Sequence, residues 1–313
     1  MSKPIQNELV MVMGYPGSGR SQYLRDCYPK HKNLTAYDLR RTITNVSENM
    51  GNGKSSRKFA IIGMFTTRKS RQQILATCKE YGIPVQCKWL LTGYNESMFN
   101  YCYDTVAQHG KLINLEELKA EDHSDNRLYS CGVFNYHKNN FEQPIPQEGF
   151  ASLESFTVST PEYRGKSAII FDYDGTLRKS KGTFDFPVTP NQIELLPNRI
   201  QKLKELKSAG IQIFGASNQS CIAKNQASRK EVINCFDETN RLLGQEMRYT
   251  YCPHDDIGSC FCRKPNVGMG AYLCAQYSLN PQTCTYVGNS ETDKQFAENC
   301  GFKFVNQQEF FAE

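Results

Sequence analysis

Asp172 and Asp174 flank Tyr173 at the end of a short apolar run, Ala168 to Phe171. Such a run reads as a buried strand, and strand residues two apart point to the same side. The two carboxylates therefore project together just before the Gly175-Thr176 turn. A pair so placed suits one acid as nucleophile and the other as proton donor and acceptor, around a hard cation that takes oxygen ligands. A lone Asp-x-Asp equally describes a strand end with solvated acids, so the rest of the chain has to decide.

Three further polar clusters follow predicted strands. Ser217-Asn218-Gln219 comes after Ile211 to Phe214, and a hydroxyl with an amide can hold phosphate oxygens, although Ser-Asn is also a common turn pair. Arg263-Lys264-Pro265 places a cation pair before a helix over Gly268 to Tyr277. Asn289 and Asp293 come after the strand Cys284 to Val287. An open α/β sheet gathers such clusters along one edge. Cys252, His254, Cys260 and Cys262 form C-x-H-x5-C-x-C, three thiolates and an imidazole that suit a tetrahedral structural Zn2+. Cysteines packed as small hydrophobes are the plain alternative, but four potential ligands within eleven residues weigh against it. Zinc here would pin the loop that carries Lys264.

The N-terminal half holds a second anion motif. Leu9 to Met13 reads as a buried strand, followed by Gly14-Tyr15-Pro16-Gly17-Ser18-Gly19-Arg20-Ser21 and a helical stretch from Gln22 to Cys27. A strand, a glycine-rich turn and a helix start aim backbone N–H groups at a phosphate. The spacing is that of G-x-x-x-x-G-K-[ST], with Arg20 at the lysine position. Arg keeps the charge, but its planar fork does not replace a compact ammonium without rearrangement. Phe59 to Ile62 and Pro84 to Leu91 read as strands and Arg68 to Tyr81 as a helix between them, an alternation that predicts a parallel sheet. Residues 119–165 show poor periodicity and read as a linker or irregular extension, between domains at 1–118 and 166–313.

The chain has 313 residues, enough for two α/β domains, and 39% hydrophobic residues describe a globular protein. No segment is long enough to span a membrane, and the first residues have no apolar signal region. With 13 cysteines, the expectation is an intracellular, reducing compartment. The net charge of +5 is uneven: residues 1–118 hold 16 Lys+Arg and 9 Asp+Glu, a net of +7, which leaves −2 for the remainder. Lys54, Arg57 and Lys58, then Arg68, Lys69 and Arg71, are its dense clusters. They are either solvated faces or contacts for a phosphate backbone.

The order Asp172/Asp174, Ser217, Lys264, Asn289/Asp293 resembles the four motifs of the haloacid-dehalogenase (HAD) phosphatase superfamily. Phe186-Pro187, Leu196-Pro197, Ser217-Asn218-Gln219 and Arg263-Lys264-Pro265 are similar to histidinol-phosphatase, heptose-bisphosphate phosphatase and the 3′-phosphatase of polynucleotide kinase-phosphatases. The histidinol-phosphatase group also carries the Cys/His spacing just before Arg-Lys-Pro. The resemblance implies that Asp172 attacks phosphorus and Asp174 moves the proton, with Ser217, Asn218 and Lys264 around the anion. It implies Mg2+ on Asp172, Asp174, Asn289 and Asp293, with neutral Asn289 standing where the family has an Asp.

Thr67 through Cys87, and Asn100, resemble the 5′-kinase domain of polynucleotide kinase-phosphatases. That resemblance implies ATP on Gly14, Gly17, Ser18, Gly19, Arg20 and Ser21, with Asp38 and Arg41 at the spacing of the family's general-base segment. Ile62-Gly63-Met64-Phe65-Thr66 replaces the family's Asp-x-Asn segment, and Asp104 falls where its lid Arg belongs.

The expected fold is two Rossmann-like three-layer α/β domains, P-loop kinase-like and then HAD-like. The expected function is a 3′-phosphatase acting on nucleic-acid ends, DNA or RNA, with a kinase-like domain whose departures weigh against transfer. The alternatives are a small-molecule phosphatase of the histidinol-phosphate or sugar-bisphosphate type, and a decayed nucleic-acid-binding scaffold.

Overall fold

A computed structural model describes residues 7–34, 58–113, 128–158, 162–255 and 260–312. Asp38, Arg41, Lys54 and Arg57 lie outside them. The chain divides into two compact units, Met1–Ser97 with Val133–Thr160, and Met98–Gly132 with Pro161–Glu313. Both contain a five-stranded parallel sheet with helices, the α/β class expected. No helix of the described residues is long and apolar enough to cross a membrane.

In the first unit the strands are β1 (Glu8–Met13), β2 (Lys32–Leu34), β3 (Lys58–Gly63), β4 (Val85–Leu90) and β5 (Ser152–Phe156), in the order β2-β3-β1-β4-β5. Central β1 is buried on both faces. Leu9, Met11 and Met13 join one core cluster, with Ile74, Leu75 and Cys78 of the helix Arg68–Glu80, while Val10 and Val12 join Leu24 in another. That two-sided burial is why β1 reads as a continuous apolar run, and it makes the unit three layers deep. The chain leaves β1 toward β3 on one side and β4 on the other, so the loop after β1 stands at a topological switch point.

The second unit repeats this logic with β6 (Ala168–Phe171), β9 (Gln212–Asn218), β10 (Arg248–Cys252), β11 (Thr285–Gly288) and β12 (Lys303–Asn306), ordered β10-β9-β6-β11-β12. Central β6 lies between β9 and β11, which puts Asp172 at its switch point. A hairpin of β7 (Arg178–Ser180) and β8 (Ile193–Leu195) follows the turn after β6.

The linker expected over 119–165 needs correction. The helix Cys131–Asn140 lies within it, and β5 pairs parallel with β4 as the edge of the first sheet. An edge strand as short and polar as Ser-Leu-Glu-Ser-Phe carries little periodic signal. The N-terminal domain also does not end at 118, because residues 98–132 cluster with the second unit and 133–160 return to the first.

A buried ion pair ties this returning segment down. Arg71 Nε and Nη2 each donate to Glu148 at 2.8 Å, Arg71 Nη1 donates to the Phe65 carbonyl at 2.9 Å, and the two side chains are 0% and 1% exposed. Burial raises the Glu148 pKa, but the hydrogen bonds and charge of Arg71 outweigh it and hold the carboxyl below its ordinary value. Removing one member of such a pair strands the other charge and costs about 3–5 kcal/mol. Arg71→Leu is therefore expected to lower the unfolding free energy of the first unit by that much, read from urea melts followed by the fluorescence of Trp89, the chain's single tryptophan.

Candidate active site

The site starts from a buried ammonium. Lys264 is 4% exposed, and its Nζ donates to Asp172 Oδ1 and Asp293 Oδ1 at 2.7 Å each, and to the Tyr286 hydroxyl at 2.8 Å. The Ala216 carbonyl is 3.2 Å away. Burial lowers the Lys264 pKa, but the two carboxylates more than compensate and raise it. Burial likewise raises Asp293, and there Lys264 and hydrogen bonds from Ser290 outweigh it, so Asp293 is held low. Asp172 has less support: burial pushes it up, Lys264 opposes, and the charges of Asp293 and Asp174 add to the rise. Two carboxylates share one cation, and the better hydrogen-bonded one keeps its charge more easily.

Each group is delivered by a strand end. Asp172 continues β6, with its N–H on the Val287 carbonyl at 2.9 Å. Asp174 follows on the same turn, with Oδ1 accepting from Arg178 Nε at 2.8 Å and Oδ2 from Gln219 Nε2 at 2.7 Å. Ser217 lies in β9; its Oγ accepts from Gln219 Nε2 at 3.0 Å, which leaves the hydroxyl hydrogen free to donate. Asn289 follows β11, its Oδ1 accepting from Thr176 Oγ1 at 3.3 Å. Gly175 has φ +82°, and a Cβ there would sit 2.4 Å from the Asn289 amide, so only glycine lets Asn289 lie against the catalytic turn.

Two sequence expectations change. Asn218 is a clamp on the backbone: its Oδ1 accepts from the Lys264 N–H at 2.9 Å and its Nδ2 donates to the Lys264 carbonyl at 3.1 Å. Asp293, expected among the magnesium ligands, has both oxygens engaged. Oδ1 holds Lys264, and Oδ2 accepts from the Asn289 and Ser290 N–H groups and the Ser290 hydroxyl at 3.1, 3.0 and 2.7 Å. Helix capping explains it, because Ser290 is the N-cap of the helix Glu291–Cys300 and Asp293 its third residue.

Cys252, His254, Cys260 and Cys262 converge, their ligand atoms all within 4.8 Å of one another. Cys252 Sγ is 3.7 and 3.3 Å from the Cys260 and Cys262 sulfurs, and His254 Nδ1 is 3.5 and 3.4 Å from Cys252 and Cys262. A tetrahedral zinc ion sets edges of about 3.8 Å between sulfurs and about 3.5 Å from sulfur to nitrogen, so the four fit such an ion. The loop is stiffened from outside as well, by Arg263 Nη1 on the His254 carbonyl at 2.7 Å and Asn266 Nδ2 on the Cys260 carbonyl at 2.8 Å.

In the first unit, Gly14, Gly17, Ser18, Gly19, Arg20 and Ser21 form one turn from β1 into the helix Arg20–Cys27. Gly14 has φ +151°, and a Cβ there would meet Ser18 Oγ at 2.8 Å and the Leu90 carbonyl at 3.2 Å. Ser18 and Arg20 are buried, and Thr92 Oγ1 donates to the Ser18 carbonyl at 3.1 Å. His137 packs its ring against Tyr15 at 4.4 Å and bonds Thr66 Oγ1 at 2.7 Å. Burial, then the Arg20 charge, lowers its pKa to about 4, so the imidazole is neutral. After β3, Phe65 stands at φ +46° with its ring over Gly63.

Arg178, Gln219 and Tyr286 belong to the site and were not singled out from the sequence. Arg178 stands four residues after Asp174, a spacing that could have flagged it. Tyr286 is indistinguishable in sequence from a core aromatic.

Residues 167–311 match the family described as polynucleotide kinase 3 phosphatase. The Histidine biosynthesis bifunctional protein HisB of Legionella pneumophila (strain Lens) is 29% identical over 147 residues, 45% of this chain and 41% of that protein. The chain thus spans about two-fifths of the length of the curated relatives it first matches. Among solved structures, the D,D-heptose 1,7-bisphosphate phosphatase of B. bronchiseptica, complexed with magnesium and phosphate, is 27% identical, with a TM-score of 0.41, over 44% of this chain and 78% of that one. A chain of the Pnkp1/Rnl/Hen1 RNA repair complex is 16% identical, with a TM-score of 0.31, over 97% of both.

The buried cluster makes a stability prediction. Lys264→Met leaves Asp172 and Asp293 facing each other without a cation and should cost about 3–5 kcal/mol. Tyr286→Phe removes one neutral hydroxyl, which accepts from Lys264 and donates to the Ala216 carbonyl, and should cost about 1 kcal/mol. Thermal melts of the two variants check the order; equal losses would mean that the ammonium does not hold the site together.

Proposed function

We propose that this chain, whose residues 167–311 are a polynucleotide kinase 3 phosphatase domain, removes the terminal phosphate from 3′ ends of nucleic acid. The observation that carries the reading is the buried Asp172–Lys264–Asp293 cluster at the tip of β6, with Asp174 one turn away. The basic first unit with its glycine turn supports a polyanionic substrate over a small sugar phosphate. Thirteen free thiols suit a reducing compartment.

Lys264 fixes one oxygen of Asp172, so the other is the nucleophile. It attacks phosphorus, the bond to the 3′ oxygen breaks, and Asp174 gives that oxygen a proton. Water then attacks the aspartyl phosphate, Asp174 takes its proton, and inorganic phosphate leaves with Asp172 restored. Lys264 and the Ser217 hydroxyl stand where negative charge gathers on the phosphoryl oxygens. The oxygen donors of Asp172, the Asp174 backbone and Asn289 suit a hard cation, and Mg2+ there would supply further charge neutralisation. Asn289 contributes no charge, so a high magnesium requirement is expected. Asp293 acts by holding Lys264. In the first unit, the turn from Gly14 to Ser21 would hold phosphate groups of ATP or of a nucleic-acid end.

Phosphate release from a 3′-phosphorylated oligonucleotide tests the reading. Asp172→Asn should lower it by at least about 100-fold with oligonucleotide binding retained. Turnover of histidinol phosphate or a heptose bisphosphate, with none of the oligonucleotide, would replace this reading by the small-molecule one. The Cys/His cluster is expected to carry one zinc per chain by elemental analysis. Cys260→Ser with Cys262→Ser should abolish the metal and lower kcat, since the loop delivering Lys264 loses its staple.

A further inference from the structure

We infer that Arg178 and Gln219 act together as a two-point clamp that sets the direction of the Asp174 carboxylate, making both positioning residues for the phosphatase reaction. The inference rests on the reading of Asp174 as the group that moves the leaving oxygen's proton.

Asp174 would otherwise be a short side chain on a turn, free to rotate. Here each of its oxygens is taken by a different element. Oδ1 is held by Arg178 Nε at 2.8 Å, at the start of β7, and Oδ2 by Gln219 Nε2 at 2.7 Å, just beyond β9. The backbone enforces the first contact. The Gly175 N–H donates to the Arg178 carbonyl at 2.8 Å and the Arg178 N–H to the Tyr173 carbonyl at 3.0 Å, closing a loop that folds Arg178 back over Asp174.

Both clamp arms are themselves fixed. The Arg178 side chain is fully buried, with Nη1 on the Cys235 carbonyl at 2.7 Å and Thr239 Oγ1 at 2.8 Å, and its guanidinium lies 5.3 and 5.0 Å from the Tyr173 and Phe236 ring centres. Gln219 is 2% exposed, and its N–H donates to the Cys252 carbonyl at 2.7 Å, so it is anchored to the Cys/His loop. The same Nε2 reaches Ser217 Oγ, which links the phosphate-facing hydroxyl to the proton-moving carboxylate through one amide. A buried Arg that only stabilised the fold would not need its Nε on the one side chain of this turn that is still 17% exposed. Groups held within a fraction of an ångström by packed neighbours are what orientation contributes to catalysis.

The test uses the full chain with magnesium and zinc supplied, and two substrates. A 3′-phosphorylated oligonucleotide has an alcohol leaving group that needs a proton; p-nitrophenyl phosphate does not. Arg178→Met and Gln219→Met should each lower kcat for the oligonucleotide by about 10–100-fold, with KM within about threefold and the affinity for orthovanadate unchanged. The pre-steady-state burst with p-nitrophenyl phosphate should fall by less than about threefold. Arg178→Lys should restore part of the loss, and the double Met variant should be no worse than about twice the poorer single one, because the two act as one unit. Losses that appear in KM, that add in the double variant, or that strike the p-nitrophenyl phosphate burst as hard as the oligonucleotide kcat would overturn the clamp. If Arg178→Met does not fold, Gln219→Met alone decides by the same readouts. Wild-type protein that releases phosphate from p-nitrophenyl phosphate but not from the oligonucleotide would defeat the substrate reading and leave the clamp to be judged on an alkyl phosphate.

Discussion

A single buried ammonium organises the second unit. Lys264 comes from a loop, yet it reaches the tips of β6 and β11 and touches the carboxylates of both. Removing three charges from water is costly, and the arrangement is stable only because every polar atom around Lys264 finds a partner. That demand accounts for features that would look unrelated in isolation. Asn218 exists to hold the Lys264 backbone, Tyr286 to accept one of its protons, Ser290 and the start of its helix to satisfy the far oxygen of Asp293. The Cys/His cluster fixes the chain just before Lys264, where a mobile loop would let the ammonium escape to water.

The same cluster divides the labour between the two carboxylates that face it. Asp293 has five donors within reach and remains charged as a structural anion. Asp172 is held at one oxygen by Lys264, and it is the less comfortable of the two, raised by burial and by its acidic neighbours. A nucleophile needs such an oxygen. Asp174 has two side-chain donors of its own, and its charge is one of those that raise Asp172.

The two units share a design. In each, the functional turn leaves the central strand where the chain goes to opposite sides of a parallel sheet, and in each a glycine lets another side chain approach the turn, Ser18 at Gly14 and Asn289 at Gly175. They differ in what surrounds the turn. Around Asp172 the neighbours are charged and hydrogen-bonded. Beside the first turn a neutral His137 packs its ring against Tyr15.

The parallel α/β class, the turns after β1 and β6 and the Cys/His cluster are legible in the sequence because they are written locally: an apolar run buried on both faces has few other readings, and motif spacings are short. The sequence also determined Asp172, Asp174, Ser217, Lys264 and Asn289 as residues of one edge. The tertiary structure decided what distance in the chain conceals. Residues 133–158 complete the first unit, which was hidden because β5 is an edge strand with too little apolar content to announce itself. Both oxygens of Asp293 are occupied, by a helix cap and by an ammonium 29 residues earlier. Asn218 grips a backbone 46 residues away, and Gln219 joins Asp174 across 45. Periodicity reports which face a residue takes; which donor meets which acceptor is settled only when the strands are side by side.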